Sequence, residues 1–223
     1  MTDDRTGDRV EAAAFVTAVS VTGASISTLG GLLGSETVSA TDDRVARIDE
    51  LQFDLGEGPC WDALSTGRPV LEPDLRARPR RHWAAFSPAL SSEDVAALFA
   101  VPLIVGPLRI GAVDLYDVRA RPLEGDDLAK TLALAAVVGR QVLRRAIAHA
   151  QPGQERPGPF SRRVIHQATG FVIVQLGVSA SDAELLMQAR AFAAGLTMQQ
   201  VAEDIVNRRT RFTMEGSAIE DGR

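Results

Sequence analysis

The 223-residue sequence is poor in the side chains that most chemistry uses: it has one cysteine, one lysine, one tyrosine and two tryptophans, and aromatic residues make up 5% of it. Each scarcity excludes something. A single thiol, Cys60, permits no internal disulfide and no cysteine-cluster metal site, and the three histidines, His82, His149 and His166, show no ligand spacing. The only lysine, Lys130, lies in a helical stretch, so the chain has neither a phosphate-binding Gly-Lys loop nor a phospho-receiver lysine after a strand. A thiol mechanism needs a base, and the only histidine near Cys60 in sequence is His82, in an arginine-rich loop. No apolar run reaches membrane-spanning length, and the opening MTDDRTGDRV lacks the basic and apolar regions of a secretory signal. We therefore expect a cytoplasmic protein that is not an enzyme, holds no metal and has no membrane partner.

What is present is the composition of an ordinary globular protein, 45% hydrophobic and 24% charged. The length suits one large or two small domains, and the run QPGQERPGPF (151–160) favours two. The expected organisation is a domain over 8–150, a Pro/Gly linker over 151–160, a second domain over 161–212 and a disordered tail over 213–223. Net charge is −5, yet residues 161–212 carry six arginines against four acids. A mildly basic module on an acidic protein permits contact with nucleic acid.

The first segment reads as mixed α+β. Residues 8–20 form an amphipathic helix, 24–29 and 36–40 read as strands, and 41–58 mixes a charged helical turn with an extended entry into the stretch GEGPCWDAL (56–64). There Gly58 makes a tight turn, Pro59 suits the first helical position and Gly67 ends the helix, which places Cys60 in its first turn. A thiol at that place is either activated by the helix dipole or simply packed in a wall, and packing is the commoner fate. RPVLEPDL (68–75) reads as a strand, and 76–92 as a long irregular connection with one helical turn. The clearest β signal is 97–118, where Phe99, Val101, Leu103 and Val105 alternate on one face, Gly106-Pro107 turns, and Val113 and Leu115 resume that face.

From Gly125 the period becomes helical. Leu128, Leu132, Ala135, Gly139, Val142, Ala146 and His149 form a heptad-like seam that can bury against its own sheet or against the same helix of a second chain. Beyond the linker, 162–177, 180–194 and 198–211 read as three helices, the last two opened by Ser179 and Thr197 caps.

GEGPCWDAL, then RPVLEPDL, then AVPLIV and IGAVDLY and a long closing helix, together spanning about residues 8–148, resemble the GAF domain, especially its actinobacterial regulator form. The resemblance implies a central antiparallel sheet flanked by helices and a small-molecule pocket between the sheet and the connecting loops. Phe53, Cys60, Trp61, Trp83, Phe86 and Phe99 are the candidate lining residues, taken as aromatic or soft groups near the motif and the loop. Nothing in the sequence identifies a haem, cyclic nucleotide or chromophore, so the cofactor stays unknown.

Residues 166–206 resemble an ANTAR domain through Gln167-Ala168, Gly170, Leu176-Gly177, Ser179, Ala183, Ala191, Gly195, Val201-Ala202 and Val206. That resemblance implies a small three-helix RNA-binding module of a transcription antitermination regulator, acting as a homodimer on paired RNA hairpins near a terminator. The candidate RNA contacts are Arg162, Arg163, Gln167, Ala168, Thr169, Gly170 and Arg190. The chain departs from the family at Thr169, Gln188 and Leu196, where basic residues are common. Two alternatives stand beside this reading. The stretch 185–211 is also compatible with a DNA-binding helix-turn-helix, and the module could keep the ANTAR shape while acting through protein contacts.

Overall fold

The alternating run from Ala97 to Asp117 builds the centre of the first domain. In the computed structural model, which describes residues 5–30, 33–77, 83–149, 162–213 and 220–221, it forms the hairpin β4 (Ala97–Val105) and β5 (Leu108–Asp117). Around it lie β1 (Gly23–Thr28), β2 (Glu36–Ala40) and β3 (Val70–Glu72), giving an antiparallel sheet of order β2-β1-β5-β4-β3. Because strand side chains alternate, each strand serves two different interiors. Ile26, Phe99, Val101, Leu103, Val113 and Leu115 pack with α1 (Arg5–Val19) and α5 (Gly125–His149) in a large aliphatic core. The opposite face lies beneath α2 (Asp43–Leu55), α3 (Pro59–Thr66) and α4 (Phe86–Leu90), and carries the candidate site.

Two first-domain elements differ from the sequence reading. Residues 43–55 are one continuous helix, not a helical turn followed by an extended entry. Asp42 caps it by accepting from the Val45 N–H, and Gly56 ends it in the left-handed region at φ 64°. Its period was hidden because two positions of its buried face, Asp49 and Gln52, are polar. In α5, Ala135, Gly139 and Val142 face the interior as expected, but Leu132 of the same seam is 41% exposed. An α-helix drifts against a strict seven-residue repeat, and the sheet takes Thr131, Ala135, Val138 and Val142 instead. The side chain of His149 and residues 78–82, with His82, lie outside the described residues.

The chain divides into two compact units, residues 1–160 and 161–223. In the second, α6 (Arg163–Leu176), α7 (Ala180–Ala194) and α8 (Met198–Val206) surround a core of Ile165, Ala168, Val172, Ala183, Met187, Ala191, Val201, Ala202 and Ile205. Ser179 accepts from the Asp182 N–H to cap α7, and Thr197 with Gln200 forms a reciprocal capping box on α8. The third helix, expected to run to about Arg211, stops at Val206, where Asn207 caps it and Arg208 turns into the left-handed region at φ 61°. Thr210–Arg211 (β6) then pairs with Glu220–Asp221 (β7). The tail expected to be disordered over 213–223 thus contributes a short strand, since the backbone groups released after α8 find partners there. The remaining expected tail residues, 214–219 and 222–223, lie outside the described set, as does the linker expected over 151–160. Among the described residues no single helix is long and apolar enough to cross a membrane.

Candidate ligand site and nucleic-acid interface

The GEGPC stretch is a joint between two helices, and each of its residues has a structural reason. Gly56 closes α2, and Gly58 starts α3 at φ 133°, a backbone state that other residues rarely adopt. A Cβ at Gly58 would also meet the Gln52 side chain at 2.6 Å. Between them, Glu57 Oε1 accepts from the backbone N–H groups of Ala85 (2.5 Å) and Phe86 (2.6 Å), tying the joint to the start of α4. Pro59 takes the first helical position, and the Cys60 N–H donates to Gln52 Oε1 at 2.8 Å.

Gln52 leads to a buried polar cluster that the sequence reading did not single out. Its Nε2 donates to Asp114 Oδ2 on β5. Asp49, one turn earlier on α2, accepts from Ser25 Oγ on β1 and from Thr37 Oγ1 on β2, both at 2.8 Å. Ser25, Thr37, Asp49, Gln52 and Asp114 are all buried. Burial, together with the charge of Asp114, holds the Asp49 carboxyl well above the usual carboxylate range, against the opposing hydrogen bonds from Ser25 and Thr37. Burial likewise raises Asp114 to about 7, in spite of its hydrogen bonds from Gln52 and Asp49. The signal for this cluster was present in IGAVDLY: Asp114 is the only charged residue in that stretch of a central strand.

The six candidate lining residues separate into three places. Phe53 and Cys60 share a small core with Leu29 and Ala112, and Trp61 packs against it with its Nε1 donating to the Gln52 carbonyl at 2.7 Å. Trp83 and Phe86 belong to a neighbouring cluster, their rings in edge contact at 6.0 Å. Trp83 Nε1 donates to Asp62 Oδ2 at 3.0 Å, and its backbone has φ 57°, unusual for a bulky residue. Phe99 does not join them. It points to the opposite face of the sheet, into the core under α1 and α5, because β4 alternates and the odd-numbered side chains of 97–103 go there. The Cys60 thiol is fully buried, and burial with the nearby charges of Asp114 and Asp49 pushes it up, away from a reactive thiolate.

In the second unit the exposed stripe of α6 is Arg163, His166, Gln167, Gly170, Phe171 and Val174, at spacings of three and four. Arg163, Gln167 and Gly170 of the candidate RNA contacts lie on it. Arg162 on the approach to α6 and Arg190 on α7 are half-buried. Ala168 and Thr169 are not available to RNA. Ala168 is fully buried, and Thr169 is buried with its Oγ1 donating to the Ile165 carbonyl at 2.9 Å and lying 3.8 Å from Met187 Sδ. Helical rotation turns both inward, toward α7 and α8, while Gln167 and Gly170 stay outside. Gly170 stands apart as a helical glycine with no positive φ at which, among the described residues, a Cβ would meet nothing within 4 Å. Among the described residues, no packing inside this domain requires its small size.

Family models match both units. The GAF domain model covers residues 8–140, more than half of the chain, and the ANTAR domain model covers 160–206. The chain is a GAF-domain protein with a C-terminal ANTAR domain. No curated protein matches it. Among solved structures, a domain assigned to a two-component sensor histidine kinase of Sinorhizobium meliloti is 18% identical, with a TM-score of 0.50 over 69% of this chain and 100% of that one. The type II free methionine-R-sulfoxide reductase of Thermoplasma acidophilum is 16% identical, with a TM-score of 0.47 over 63% of this chain and 92% of that one. The GAF-B domain of DevS from Mycobacterium smegmatis is 15% identical, with a TM-score of 0.45 over 66% and 99%. At 18% identity the first of these shows a likeness of fold alone. A GAF sensor domain joined to an ANTAR domain is the organisation of a regulator, and ANTAR domains bind RNA.

Proposed function

We propose that this GAF-ANTAR protein is a cytoplasmic, homodimeric regulator without catalytic activity, whose GAF domain senses a small molecule and controls binding of the ANTAR domain to hairpin RNA, opposing transcription termination. The observation that carries the reading is the α6 stripe of the matched ANTAR domain. A glycine in an exposed helix interior costs about 1 kcal/mol relative to alanine, and at Gly170 no internal contact offsets that cost. Close approach of an external backbone gives the glycine a purpose, and Arg163, Gln167 and Phe171 beside it offer a phosphate partner, a hydrogen-bonding amide and a stacking ring.

The helix-turn-helix alternative is weakened by the same structure. Met198 is buried, Gln200 Oε1 is engaged by the Thr197 N–H, and Gln199 Nε2 donates to Glu203, so both glutamines at the start of α8 already spend one amide atom within the domain and are less free to read bases. A protein-contact role is favoured by one observation, the exposure of Phe171, Val174, Leu185 and Phe192 at 46–86%.

Gel-shift titration of the full chain against paired-hairpin RNA and duplex DNA separates these readings. RNA is expected to bind preferentially. Arg163→Ala should weaken binding and flatten the slope of log affinity against log salt by about 0.7–0.9, one phosphate contact. Duplex preference, or self-association without RNA binding, sinks the proposal.

A further inference from the structure

The two faces of the GAF sheet differ in kind. Toward α1 and α5 it presents large aliphatic and aromatic side chains, whereas toward α2 and α3 the paired rows are Thr37, Ser27, Ala112 and Pro102, and Ser25, Asp114 and Ala100. The second set is small and polar, an uneconomical choice for a core that only has to be filled.

A donor and acceptor inventory of that face leaves a specific remainder. Ser25 and Thr37 spend their hydroxyl protons on Asp49, Gln52 Nε2 goes to Asp114 Oδ2, and Gln52 Oε1 is taken by the Cys60 N–H. Of the four buried side-chain atoms without a hydrogen-bond partner among the described residues, two lie in these rows, Asp114 Oδ1 and Ser27 Oγ, in side chains that are 0% and 1% exposed; apart from Gln52, Asp114 has only the proton it shares with Asp49. Their rows are adjacent, since Ser25 faces Asp114 and Ser27 faces Ala112 across β1 and β5, while Ser27 faces Thr37 across β1 and β2. The remainder is therefore acceptor-rich.

Charge is unbalanced in the same direction. Asp49 on α2 and Asp114 on β5 are the two carboxylates of these rows; Glu72 on β3, opposite Leu98, is a further buried carboxylate on this face, two strands from Asp114. The titratable group offered by α3 is the neutral Cys60 thiol, and the facing residues of β1, β2 and β4 carry no charge. Among the described residues no basic side chain acts on either carboxyl, and Arg109, the only basic residue of β5, turns to the Leu64 and Ser65 carbonyls. Two buried carboxylates without a cation cannot both ionise, so they retain a proton between them.

We infer that the ligand of this GAF domain carries a cationic N–H donor, an ammonium or amidinium group, that docks on Asp114 Oδ1 and Ser27 Oγ beneath α2 and α3 and displaces the proton retained by Asp49 and Asp114. The inference rests on the sensor reading above and gives that site its ligand chemistry. Because Asp114 is raised to about 7, the displaced proton leaves to solvent near neutral pH, and the incoming positive charge replaces it. An N–H donor on a carboxylate is a charge-assisted hydrogen bond, about twice as strong as a neutral one.

Calorimetric titration of the full chain with methylammonium and benzamidinium, and with benzamide and benzoate as neutral and anionic controls, tests it. One or both cations should bind and the controls should not, and the heat should vary with the ionisation heat of the buffer because a proton is released. Asp114→Asn should weaken cation binding about tenfold or more, and Ser27→Ala by a few-fold. Should Asp114→Asn fail to fold, Ser27→Ala and the proton release in the unsubstituted chain still decide. Failure of both cations to bind, binding of benzamide or benzoate as tight as that of benzamidinium, or cation binding indifferent to both substitutions overturns the inference. Native mass spectrometry of the protein from its source cell separates this failure from that of the sensor reading. A retained neutral or anionic compound overturns the cationic ligand and leaves the sensor in place, whereas a chain that retains nothing and binds none of the four probes sinks both.

Discussion

Cys60 spends its position, the first turn of a helix behind a proline, on packing. The dipole at that place favours a thiolate, but complete burial and two neighbouring carboxyls oppose it, and their effect is the larger. Cys60→Ser is therefore expected to leave RNA binding intact and to cost about 1 kcal/mol for the buried hydroxyl, read by urea unfolding. A thiol that reacts rapidly with a disulfide reagent at neutral pH in the native protein would contradict this. Asp114 has a pH signature of opposite sign to that of a salt-bridged carboxylate. Its pKa is about 7 in the folded chain and about 3.9 when unfolded, so between these values the native state binds more protons and stability falls as pH rises. Above about pH 7 the whole cost is present, on the order of a few kcal/mol. Asp114→Asn should flatten the stability profile between about pH 4 and pH 7, with the largest gain at the alkaline end.

At the scale of elements, α5 and α6 each divide their residues between an inside and an outside that substitution can tell apart. Val142 is 4% exposed in the core, whereas Leu132 is 41% exposed. Val142→Glu should cost several kcal/mol through a buried charge, while Leu132→Glu should leave the fold within about 0.5 kcal/mol. If the exposed side of α5 joins two chains, Leu132→Glu should also yield a folded monomer in sedimentation. A wild type that is already monomeric at tens of micromolar removes α5 as the dimer seam. On α6, Gly170→Ala should stabilise the helix by about 0.5–1 kcal/mol and yet weaken hairpin RNA binding. Thr169→Lys, a change that restores the commoner family residue, should instead destabilise the module by about 2 kcal/mol or more, because it drives an ammonium into the contact with Met187.

For the whole molecule, the division into two units predicts two unfolding events. Scanning calorimetry of the full chain should resolve two transitions, with Val142→Glu lowering one and Thr169→Lys the other. A single transition lowered by both would mean that the units unfold as one. The charge distribution adds a condition for function. The chain carries −5 overall, while its 161–212 portion has two more basic than acidic residues, so RNA affinity should fall steeply with salt and owe little to long-range attraction by the rest of the chain.

The sequence by itself determined the features that local chemistry controls. The β4–β5 hairpin was legible because apolar residues alternate on both sides of the Gly106-Pro107 turn, and α6 and α7 because Gly177 and Gly195 end them and the Ser179 cap opens α7. The GEGPC joint was legible because glycine and proline have few alternative uses. Only the tertiary structure decided which face each residue serves. Phe99 and Cys60 both looked like lining residues, and the pleat sends one of them to the opposite side of the sheet. Ala168 and Thr169 stood beside Gln167 and Gly170 in the family motif, and a helical rotation of about 100° per residue buries the first pair and exposes the second. The acid cluster was least legible of all. Asp49, Gln52 and Asp114 are separated by up to 65 residues, and although Asp114 stood out as a lone charge in a central strand, Asp49 and Gln52 look like solvent-facing polar groups of a charged helix; only the antiparallel pairing of β1 with β5, and the seat of α2 above it, brings them into one buried network.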